Sequence, residues 1–150
     1  MKRLILGLFC ATLFTLPATA GTGIITVGSN YSVQTTLDRL TKIMTSKGIT
    51  IFARVDHAAG AEKAGKKLAP TQLLIFGNPK LGTLLMQSNR LFGLDLPLKA
   101  LAWRDDHGKV WLSYNDPAYL KARYNMTNRD PLFKKMTGIL KKLVGKAVSK

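Results

Sequence analysis

The sequence predicts an α+β domain: one small unit with a mostly antiparallel sheet and helices packed on one face. Three observations predict it. Short apolar or alternating runs recur between turn signals, residues 98–103 and 110–114 flank a tight turn, and stretches of helical spacing separate the other runs. A sheet joined by hairpins and covered on one side accommodates that order.

Residues 23–27 are apolar and β-branched and read as the first strand. Ser32 follows as an N-cap, and Val33, Leu37, Leu40 and Met44 recur at helical spacing until Gly48 stops the helix. Residues 49–55 form the next strand, with Ile51, Ala53 and Val55 on one face and Phe52 and Arg54 on the other. A small-residue helix over 58–68 is closed by Pro70. Residues 72–76 are almost continuously apolar, the pattern of a strand covered on both faces, and end in the turn Gly77-Asn78-Pro79. A short helix around 84–86, capped at Thr83, precedes the hairpin, whose turn is Asp105-Asp106-His107-Gly108. Asp116-Pro117 opens a helix containing Tyr119, Leu120 and Arg123.

The two ends differ from this middle. Lys2 and Arg3, an apolar stretch over 4–16 and Ala18-Thr19-Ala20 form the three-part pattern of a secretory signal, with cleavage expected between Ala20 and Gly21. The expected location is therefore periplasmic or secreted. Cys10 lies within that stretch without the preceding small residue of a lipoprotein site, so the mature chain would hold no cysteine and no thiolate ligand. Residues 21–130 are then the α+β domain and 131–150 a basic amphipathic helix with six lysines and no acid. Two readings of that helix stay open: packing on the core with a solvated lysine face, or adsorption to anionic lipid.

Two of the 23 Lys and Arg precede residue 21, leaving 21 basic side chains against eight acidic ones. That balance favours anionic partners: a small anion, or a lipid or lipopolysaccharide surface. Nucleic acid fits the charge but not export.

Candidate chemistry centres on Asp56 and His57. Neighbours on a strand point to opposite faces, so the two side chains meet only if the strand ends between them. Asp56 is then a natural N-cap and His57 stands in the first helical turn, where an imidazole can act as acid/base group or contact. His107 sits in an exposed turn, which leaves too few ligands for a zinc site, and the sequence leaves any cofactor unassigned. The loop at Asn78 lacks the spacing of a phosphate loop. Asp95, flanked by leucines, finds a partner in Lys99 four residues on, and Tyr114 and Asn115 are placed to face the same polar-floored pocket.

Four phrases, RVDHAAGAEKAG, LAPTQLLIFGNPKLGTLLMQ, LDLPLKALAW and GKVWLSYNDPAYLKAR, together resemble the bacterial domain of unknown function 302 family over residues of about 31–124. The resemblance implies a small α+β domain that pairs as a homodimer, without an established activity. Its motif positions fall on Asp56, His57, Gly77, Asn78, Pro79, Asp95, Pro97, Lys99, Tyr114 and Asn115. Many members carry a histidine after the arginine of the late helix, whereas here Tyr124 follows Arg123. The expected function is an exported binding or accessory protein holding a small or anionic ligand near His57, Asn78 and Asp95. The alternatives are a small enzyme using His57 as general acid/base beside Asp56 or Asp95, and an envelope-surface protein acting through its lysine-rich tail.

Overall fold

The computed structural model describes residues 22–150. The expected leader and its cleavage point lie outside them. Five strands, β1 (Ile24–Ser29), β2 (Thr50–Asp56), β3 (Thr71–Gly77), β4 (Leu98–Arg104) and β5 (Val110–Asn115), form one sheet in the order β1-β5-β4-β3-β2. All four pairings are antiparallel. The α+β expectation holds.

Helices α1 (Val33–Thr45) and α5 (Asp130–Val148) cover one face. Their Leu37, Leu40, Met44, Leu140, Leu143 and Val144 bury Leu74, Phe76, Ala100, Ala102, Leu112 and Tyr114 of the sheet. The basic terminal helix is thus an integral wall of the core, with Lys134, Lys135, Lys141, Lys142 and Lys146 turned outward. Ser32 caps α1 by accepting from the Thr35 amide, as its position predicts.

The remaining elements divide between the two ends of the sheet, with the helix over residues 57–63 at one and the rest at the other. Helix α2 (His57–Lys63) links β2 to β3, α3 (Pro79–Ser88) follows β3, and α4 (Pro117–Arg123) follows β5. With a 3₁₀ turn at Arg90–Leu94, the last two join the first half of α5 around a second cluster of Leu85, Phe92, Leu120, Met126, Phe133 and Met136. Helix α3 begins earlier than the sequence suggests: Asn78, not Thr83, is its cap, and Pro79 supplies a first-turn residue that needs no amide partner.

Two strand expectations change. A bulge between Ile51 and Ala53 switches faces, so Ile51 joins the helix-covered side while Ala53 and Val55 look outward. The outward side of β3 is only half-covered: Leu73 and Ile75 stand beside Leu101, Trp103 and Trp111 on an open face. At the hairpin, Gly108 takes φ +80°, as the turn requires.

Candidate functional site

The structure divides the expected site residues between the two ends of the sheet. Asp56 lies opposite Gln72, whereas Thr50, at the other end of β2, lies opposite Gly77, the neighbour of Asn78. Six residue steps along the strand separate these ends by about 20 Å. A single pocket near His57, Asn78 and Asp95 is therefore not formed.

At the first end Asp56 is the cap the sequence predicts. Its Oδ1 accepts from the Ala59 amide at 2.9 Å and its Oδ2 from Gln72 Nε2 at 2.9 Å. The Ala59 hydrogen bond leads the effects that hold this carboxyl below its ordinary range. Gln72 also accepts from Arg54, which pairs with Asp38 of α1. Asp56 thus closes a structural network across the sheet edge. His57 stands exposed beside it, and both carboxylate oxygens of its neighbour are already engaged.

At the second end Asp95 is largely buried, with 14% of its side chain exposed. Its Oδ2 accepts from the Tyr124 hydroxyl at 2.6 Å and lies 3.7 Å from Arg123 Nη1. That hydrogen bond is the main cause of a raised Tyr124 pKa. Lys99, expected as the partner, instead donates to the Pro97 carbonyl at 3.0 Å, because strand alternation turns it away from the 3₁₀ turn carrying Asp95. Tyr114 and Asn115 part for the same reason. Tyr114 is buried in the core, where desolvation raises its pKa, while Asn115 is exposed on the opposite face.

Asn78 borders two depressions. A groove of about 250 Å³ has Phe52, Met86, Leu96 and Pro97 among its walls. A cleft of about 310 Å³ between α3, α5 and the sheet end is walled by Ile49, Leu81, Leu98, Met136, Ile139 and Leu143, with Lys47 and Lys135 at its lip. Sequence reasoning missed this cleft. The signal available was Ile139, an apolar residue of the α5 pattern that remains 38% exposed. Tyr124 was likewise noted only as a departure, not as the partner of Asp95.

Among the described residues no group of three His, Cys, Asp or Glu is placed to hold a metal, and no helix is long and apolar enough to cross a membrane.

One antiparallel sheet, two helices across one face and a cleft where the terminal helix meets the sheet end define a small α+β domain with room for a ligand. The chain belongs to the family described as "Domain of unknown function DUF302", whose profile matches residues 25–143. That span takes in most of α5, which the sequence resemblance left out. The chain is similar in fold to a solved structure, an uncharacterized conserved protein DUF302 from Bacillus stearothermophilus, with a TM-score of 0.68 and 20% identity over 85% of this chain and 96% of that one. It is also 54% identical over 104 residues to proteins named fluoride-specific ion channel FluC 1 from Brucella suis biovar 1 (strain 1330) and Brucella abortus biovar 1 (strain 9-941). The match covers 69% of this chain but 41% and 38% of theirs, so it spans about two fifths of these curated relatives.

Proposed function

We propose that the chain is an exported binding or accessory protein that works as a homodimer. The observation that carries the binding reading is the cleft of about 310 Å³ at the Asn78 end, within the size usual for small-molecule sites. The engagement of both Asp56 oxygens argues against an Asp56–His57 acid/base pair. Export rests on the sequence of the first twenty residues. Native mass spectrometry of protein isolated from the periplasmic fraction tests the reading: a dimer retaining a small molecule is expected, and either a bare monomer or no protein in that fraction contradicts it.

Pairing is proposed through the open sheet face. The polar atoms there are already satisfied: Trp103 Nε1 donates to Ser113, whose hydroxyl bonds Thr26, and Trp111 Nε1 donates to Asp105. Covering such a face leaves no orphaned donor among these groups. Leu73, Ile75, Leu101 and the stacked Trp103–Trp111 pair supply the apolar part of that face, with Lys99 and Lys109 as its cations.

The Brucella relatives favour a second reading, an accessory module of a fluoride-specific ion channel. It predicts that the protein is retained by liposomes carrying the unmatched portion of such a relative. Equal retention by empty liposomes of the same lipid refutes it.

A further inference from the structure

We infer that the cleft between α3 and α5 takes a single-chain anionic amphiphile, with its acyl tail on the apolar walls and its carboxylate head between Lys47 and Lys135. The inference rests on the binding reading and names its ligand class. Leu81, Leu98, Met136, Ile139 and Leu143 offer a tail a nearly continuous apolar track beside Phe76. Water on such walls is released when a methylene chain replaces it, which favours binding in proportion to the apolar area covered.

Charge selects the head. Lys47, just past the end of α1, and Lys135, in the first half of α5, are both exposed at the lip. No acidic side chain pairs with either, and none of the eight acids lines the cleft. The two ammonium groups repel a cationic head and attract a carboxylate, while a neutral head gains nothing from their charge. Antiparallel packing of α1 against α5, fixed where Arg39 donates to the Ala147 and Lys146 carbonyls, brings the far end of α1 back toward the first half of α5. The cleft is therefore assembled by the fold, and of the outward lysines of α5 it is Lys135 that borders it.

The test is calorimetric titration of the purified protein with decanoate at low salt, below its micellar threshold. Saturable one-to-one binding is expected, with decyltrimethylammonium at least about tenfold weaker. Substituting Lys47→Gln and Lys135→Gln together should weaken decanoate about tenfold, and Ile139→Trp should abolish binding by filling the walls. Lys141→Gln with Lys142→Gln, outside the cleft, should leave affinity unchanged. Thermal melts establish that each variant is folded. The inference is overturned if both amphiphiles bind alike, if folded cleft variants keep wild-type affinity, or if the protein binds phosphatidylglycerol vesicles but not free decanoate. Failure of decanoate while native mass spectrometry shows another small molecule would sink the amphiphile and spare the binding reading; failure of both would sink the two together.

Discussion

Asp105 is the residue whose role is largest relative to its appearance in the sequence. It reads as a turn former, yet its Oδ1 accepts from the His107 and Lys109 amides and its Oδ2 from Trp111 Nε1 at 2.8 Å. The Trp111 hydrogen bond is the foremost reason its carboxyl titrates below the ordinary value of 3.8. A depressed carboxyl stabilises the fold above the unfolded-state pKa, and that contribution is lost as pH falls through the folded value. Wild type should therefore exceed Asp105→Asn in denaturant stability at neutral pH, with the gap closing below about pH 4; a gap independent of pH contradicts this. Gly23 makes a second prediction. It takes φ +69° with the Tyr119 ring where a Cβ would stand, so Gly23→Ala should cost about 1–3 kcal/mol in equilibrium unfolding. His57→Ala, at an exposed position, should stay within about 0.5 kcal/mol of wild type.

At the scale of elements, helix α5 changes how its lysines are tested. Phe133, Met136, Leu140, Leu143 and Val144 are buried, so deleting residues 131–150 would open the core instead of removing a tail. Loss of cooperative unfolding is expected for that deletion, and Leu143→Ala alone should cost about 2–5 kcal/mol. Charge-removing changes to Gln at Lys134, Lys141 and Lys142 should leave stability unchanged, and they are the sound way to probe anionic vesicles. The elements themselves were legible because each carries a local signal: the Ser32 cap, the Gly48 stop, the DDHG turn, the periodic apolar residues of α5. What escaped was set by tertiary contact. The bulge at Phe52 inverts the faces of Ile51 and Ala53, and no single strand pattern announces a bulge. Asp95 met Tyr124 because α4 folds back on the 3₁₀ turn, a juxtaposition across 29 residues that nearest-neighbour reasoning replaced with Lys99. Asp56 was legible as a cap because capping is local.

On the scale of the whole molecule, one sheet face is closed by α1 and α5 and the other is left open. That asymmetry explains the apolar run of β3, which reads as doubly covered although one chain covers it once. If a second copy supplies the other cover, Leu101→Glu should shift sedimentation from dimer to monomer while Lys141→Glu does not; a monomeric wild type would contradict pairing. The proposed binding reading places the ligand in the apolar cleft at the α3–α5 end, away from the more open depression beside Asp56. Chemical-shift mapping of the protein with decanoate tests this most directly: the account predicts perturbation of Ile139, Met136 and Leu98 with the His57 imidazole unmoved, whereas shifts centred on His57 and Gln72 would contradict it.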